Sequence, residues 1–182
     1  CKPIATDKDA ANAMSTVIGT FQGIVQYNNP EAGNQNVDWV CQKLAAGASN
    51  ATQAVIDLTT TVNGGGSCMS VNYQDMISEM KDESVTSSSA STRSWMYQCC
   101  RQFAYWQTTN QPDGSFGSSL TLDFYNGMCS DAFGLSSPIP VDFTNEYYGG
   151  NDPQGTKILF PGGDVDPWSN PDVPALSINA NV

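Results

Sequence analysis

Lys157-Ile158-Leu159-Phe160-Pro161-Gly162-Gly163-Asp164-Val165-Asp166-Pro167-Trp168 is the stretch whose reading decides the fold. Residues 158–160 form a short apolar run of the kind that makes a buried strand. Pro161, Gly162 and Gly163 end it, since proline donates nothing to a ladder and glycine permits a tight turn. Asp164 and Asp166 then fall on the loop leaving the strand's carboxyl end, the edge at which open α/β sheets gather ligands and catalytic groups. Taken alone, the same residues also fit a surface loop whose aspartates cap a turn. The rest of the chain has to decide.

The 182 residues are enough for one domain with a sizeable core. Seven Lys and Arg against eighteen Asp and Glu leave a net charge of −11, a balance that argues against nucleic acid and anionic membrane surfaces. No run approaches the roughly 20 apolar residues of a membrane span. The first residue is Cys1 rather than Met, so processing, or a piece of a longer chain, is expected. Six cysteines and no histidine exclude a Cys-His nucleophilic pair within these residues, and the cysteine spacing fits no zinc motif. Disulfides in an oxidising compartment fit better, and Asn50-Ala51-Thr52 is an N-glycosylation sequon. No metal or cofactor is called for, and a secreted or lysosomal location is expected.

Thr6 and Asp9 have the spacing of a capping pair, and Ala10, Met14, Val17, Ile18, Phe21, Ile24 and Val25 follow at helical spacing. Asn36 or Asp38 can cap a second helix carrying Trp39, Val40 and Leu44. A third is expected over about 50–62, stopped by Asn63-Gly64-Gly65-Gly66, and a fourth around Tyr73, Met76, Ile77 and Met80. Residues 83–92 are mostly Ser, Thr and small residues and read as an exposed loop. The aromatic-dense block 93–107 reads either as core or as the wall of a pocket. A short helix is expected over about 120–133, a loop at 145–150, and one more strand over 173–182. Two strands are too few for an independent sheet, so helices followed by strands suggest a helical lid inserted into an α/β domain.

Three blocks in this order resemble the prolyl carboxypeptidase-like serine peptidases, a family that includes dipeptidyl peptidase II and the thymus-specific serine protease. They are Arg93-Ser94-Trp95-Met96-Tyr97-Gln98-Cys99-Cys100, Thr144-Asn145-Glu146-Tyr147-Tyr148-Gly149-Gly150, and Phe160-Pro161-Gly162-Gly163-Asp164-Val165-Asp166-Pro167-Trp168. The resemblance implies an α/β-hydrolase with an inserted helical cap. Residues 1–133 would be mainly cap, 134–155 a connecting loop, and 156–182 the last part of the core. It implies serine exopeptidase action beside proline by a Ser-Asp-His triad. Asp166 would be the triad acid, and Asp164 falls at a variable position and takes no role. Trp168 would wall the pocket for the substrate proline, with Trp95, Tyr97 and Tyr105 beside it. Cys1–Cys68 and Cys100–Cys129 would be disulfides, Cys41 would pair outside the chain, and Cys99 has no family partner.

The departures bear on activity. No Gly-x-Ser-x-Gly elbow and no histidine occur in the chain, and an aspartate orients an imidazole without replacing it. The 182 residues by themselves are therefore expected to be incompetent. Their partners would be the remainder of the same protein carrying Ser and His, a peptide substrate with proline near one end, and further copies in a homo-oligomer. Gln102 and Gly162 stand where the family commonly has Glu and Asn, which motivates a second reading, a catalytically inactive structural or assembly protein of the same fold. A calcium loop on Asp164 and Asp166 lacks the further oxygen ligands such a loop needs.

Overall fold

Helices make up all the regular structure among the described residues of a computed structural model, which are 2–29, 31, 35–65, 69, 71–110, 114–135, 138–150, 152–158 and 166–168. In chain order they are α1 (Asp7–Gln26), α2 (Val37–Ala46), α3 (Ala51–Val62), α4 (Tyr73–Lys81), α5 (Ala90–Gln98), α6 (Leu122–Phe133) and α7 (Val141–Tyr148). The expected strand residues Leu159 and Phe160, all of 173–182, Asp164, and the Cys1–Cys68 pair lie outside the described residues.

The start of α1 is a complete capping box. The Asp9 N–H donates to Thr6 Oγ1 at 3.1 Å while Asp9 Oδ2 accepts from the Thr6 N–H at 3.0 Å. The second Asp9 oxygen accepts from the Tyr73 N–H at 2.8 Å and from Asn72 Nδ2 at 3.2 Å. One carboxylate thus ties the N-terminus of α1 to that of α4, and the Tyr73 N–H foremost, then the Thr6 hydroxyl, holds its pKa below the ordinary 3.8. Asn36, Asn50, Asn72 and Thr121 cap α2, α3, α4 and α6 with their side-chain oxygens.

Two apolar clusters share α1. Ile18 packs with Tyr73, Ile77, Met80, Leu120, Met128 and their neighbours among α1, α4 and α6, while Ile24 packs with Val40 and Leu58 of α2 and α3. The Cys100–Cys129 disulfide lies inside the first cluster and joins the end of α5 to α6. The 29-residue separation it closes contributes about 3–4 kcal/mol in the chain-entropy model. On the rim, Lys8 Nζ reaches Asp131 Oδ2 at 2.6 Å and lies 4.7 Å from the centre of the Tyr73 ring, whose hydroxyl donates to the same carboxylate at 2.9 Å. Lys8 first, then Tyr73, holds the Asp131 carboxyl below its ordinary range.

Two loop expectations are corrected. Residues 90–92 begin α5 rather than extending the loop from 83: the Arg93 N–H bonds Ser89 O at 2.8 Å and the Ser94 hydroxyl donates to Ala90 O at 2.9 Å, closing the first turn. Residues 145–148 belong to α7, which occupies part of the stretch 134–155 expected to be connecting loop. The Gly-Gly read as a loop signal is the helix stop: Gly149 has φ +90°, and its N–H bonds Asn145 O at 2.8 Å. A Cβ there would come within 2.6 Å of Pro153 Cα. No helix of the described residues is long and apolar enough to cross a membrane.

Candidate functional site

The aromatic block gains its shape where α5 ends. One π-helical turn, Cys99–Phe103, leads into Ala104 at φ 49° and ψ 43°, a left-handed conformation that a residue with a Cβ adopts at a cost. The Ala104 N–H bonds Cys99 O at 2.9 Å, and Ala104 O accepts from the Trp106 N–H at 2.7 Å. This reversal lays Phe103 and Tyr105 parallel, with ring centres 5.2 Å apart. Tyr105 in turn stacks on Trp95 of α5 at 6.2 Å. Trp106, next in sequence, points elsewhere and stacks on Tyr125 at 4.7 Å against the core.

Trp168 completes the group, edge-on to Trp95 at 6.2 Å and to Tyr105 at 6.4 Å. Trp95, Tyr105 and Trp168 are each 42–50% exposed, so they form a wall facing outward rather than core. Tyr97 does not join them. It lies edge-on to Phe133 at 5.4 Å, because residues two apart on a helix do not share a face.

Asp166 is exposed, and its Oδ1 accepts from the Trp168 N–H at 2.9 Å. This is the turn-capping role open to such an aspartate. A carboxylate accepts at two oxygens, and among the described residues no other partner meets it. The same carboxylate therefore fixes the backbone of Trp168. The Trp168 side chain is held independently, its Nε1–H donating to Gln26 Oε1 of α1 at 3.0 Å. Sequence reasoning left out Phe103 and Gln26 as site residues. Phe103 stood in the aromatic block, but nothing local marks Gln26.

Among the other expected sites, Cys100–Cys129 is a disulfide, Cys41 is an exposed free thiol, and Cys99 is a buried one. Burial pushes the Cys99 thiol pKa up, against a weaker opposing hydrogen bond from the Tyr105 backbone. Asn50 is exposed, and its Oδ1 caps α3 by accepting from the Gln53 N–H at 3.2 Å. No group of three or more His, Cys, Asp or Glu that could hold a metal occurs among the described residues.

These features define a helical, disulfide-linked unit with an aromatic wall beside an exposed carboxylate. The family described as Serine carboxypeptidase S28 matches residues 1–175 of the chain, which belongs to that family. The chain is 32% identical to protein K12H4.7 of Caenorhabditis elegans over 180 residues, covering 89% of this chain and 35% of the relative. It is 28% identical to the human thymus-specific serine protease over 178 residues (92% and 35%). With the human lysosomal Pro-X carboxypeptidase the identity is 25% over 177 residues (93% and 34%). The chain spans about a third of the length of these relatives. No solved structure matches it significantly.

Proposed function

We propose that this chain is the helical cap and acid-bearing part of a secreted or lysosomal serine exopeptidase with an α/β-hydrolase core, hydrolysing peptide bonds next to proline. Family membership supports the peptidase class, and a lysosomal relative named for Pro-X carboxypeptidase supports the bond and the compartment. The observation that carries the reading is the Asp166 carboxylate holding the backbone N–H of Trp168, two residues on, beside the exposed aromatic wall.

A serine on the remainder of the protein attacks the scissile carbonyl, and a histidine there takes its proton and returns it to the leaving amine. The remaining oxygen of Asp166 accepts from the imidazole N–H, fixes its tautomer and stabilises its charge. The substrate proline packs on the ring face formed by Trp168 with Trp95 and Tyr105, where its methylenes lose contact with water. Tyr97, against Phe133, takes no part in that pocket. Cys1–Cys68 and Cys41 complete the disulfide set, Asn50 carries a glycan, and copies of the intact protein associate.

Asp166→Asn in the intact protein tests this reading. Turnover of prolyl peptides should fall by about four orders of magnitude with the fold retained. Unchanged turnover removes Asp166 from the mechanism, and an intact wild-type protein without turnover favours the inactive, structural reading.

A further inference from the structure

Tyr105 is aimed by the turn before it, and that turn is anchored on a buried thiol. Cys99 and Cys100 are adjacent and 0% and 2% exposed, so this chain's own residues cover both. Their fates differ. Cys100 joins Cys129 in the disulfide, whereas Cys99 keeps its thiol. Neighbouring residues on a helix leave it in different directions, and the Cys99 side chain turns to backbone. Its Sγ accepts from the Tyr105 N–H, one residue on from the Ala104 N–H that bonds Cys99 O at 2.9 Å. Two consecutive backbone donors thus end on one residue, and they bracket the left-handed conformation of Ala104.

Bond and burial depend on each other. The Tyr105 N–H points at a fully buried residue, so no water replaces the acceptor if the sulfur is removed. The bond aims the chain as it leaves the left-handed turn. Tyr105 then stacks on Phe103 at 5.2 Å and on Trp95 at 6.2 Å, and meets Trp168 at 6.4 Å. Burial in turn preserves the thiol. Disulfide exchange and alkylation both proceed through the thiolate, and burial pushes the Cys99 pKa up. A free thiol can therefore persist beside a disulfide in an oxidising compartment.

We propose that Cys99 is a positioning residue: kept as a free thiol by its burial, it holds the left-handed turn that presents Tyr105 to Trp95 and Trp168, and so shapes the face on which the substrate proline packs. The consequence for substrate rests on the peptidase reading above; the hold on the turn does not.

The test uses the full-length protein. In the native wild type, N-ethylmaleimide should leave Cys99 unmodified and react with it only after denaturation. The Tyr105 amide should exchange hydrogen roughly tenfold or more slower than an open amide, although the residue is 50% exposed. Cys99→Ala deletes the acceptor. The Tyr105 amide should then open, and KM for prolyl peptides should rise about threefold to tenfold with kcat within twofold. Cys99→Ser restores an acceptor and should bring both values back toward wild type. A cysteine that served only as packing predicts the opposite order, because a buried hydroxyl costs more than a methyl group. Native alkylation of Cys99, an open Tyr105 amide in the wild type, equal behaviour of the two variants, or a KM unmoved by Cys99→Ala in an active enzyme overturns the proposal. The first two need no variant to fold. Amide protection with serine rescue but no turnover in the wild type keeps the hold on the turn and sinks the peptidase reading; turnover with neither value moved by Cys99→Ala does the reverse.

Discussion

Gln26 and Trp168 stand 142 residues apart in sequence and meet through one hydrogen bond, 3.0 Å from the indole Nε1 to the amide Oε1. Gln26 ends α1, the helix that both apolar clusters share. Trp168 follows Asp166 on the proposed catalytic loop. The bond therefore sets the angle of the indole from the rigid helical unit, while Asp166 sets its backbone.

Gln26→Leu keeps the size of the side chain and deletes the acceptor. Such a bond contributes about 0.5–1.5 kcal/mol, and this one is exposed. KM for prolyl peptides should rise about threefold to fivefold with kcat within twofold, since the bond positions a binding surface and touches no reacting atom. Steady-state kinetics on the intact protein check this; an equal loss in kcat with KM unchanged would show that Gln26 acts on the chemical step.

Asp9 and Asp131 predict how stability depends on pH. Both carboxyls titrate below 3.8 in the folded chain, Asp9 through the Tyr73 N–H and Asp131 through Lys8. A folded pKa below the unfolded one gives stability that is complete above about pH 4 and is lost as pH falls through the folded value. The melting temperature should accordingly be held at pH 5–7 and drop below pH 4. Asp131→Asn should lower it at pH 6 and shrink the difference from wild type at pH 3. Scanning calorimetry at the two pH values checks the sign, and parallel curves would contradict it.

Ala104 predicts a gain. Its φ of 49° costs an L-residue with a Cβ about 1–2 kcal/mol, and glycine meets no such cost. After the entropy that glycine loses on folding, Ala104→Gly should stabilise by about 0.5–1 kcal/mol and raise the melting temperature by roughly 2–3 °C. A thermal melt that falls instead would mean the turn is held by the alanine side chain.

The helices were legible because their signals are local. Thr6 and Asp9 announced α1, the glycines after Asn63 ended α3, and Cys100 and Cys129 form the disulfide that the family resemblance implied. Failures came where one local signal has two meanings. The Gly149-Gly150 pair reads equally as loop or as helix stop, and it stops α7. Serine-rich sequence hid the first turn of α5. In the aromatic block, Trp95 meets Tyr105 and Trp168, while Tyr97 turns to Phe133 because α5 sets it on another face. Long-range partners were invisible: nothing in Asp9 foretells Tyr73, and nothing in Gln26 foretells Trp168.

The central claim is that this chain serves a working serine hydrolase. Labelling the intact protein from its source with a fluorophosphonate probe, followed by peptide mapping, tests it most directly. The account predicts one labelled serine peptide, on the same polypeptide or one disulfide-linked to it, outside these 182 residues. Full peptide coverage with no labelled serine would contradict it and establish the inactive, structural reading.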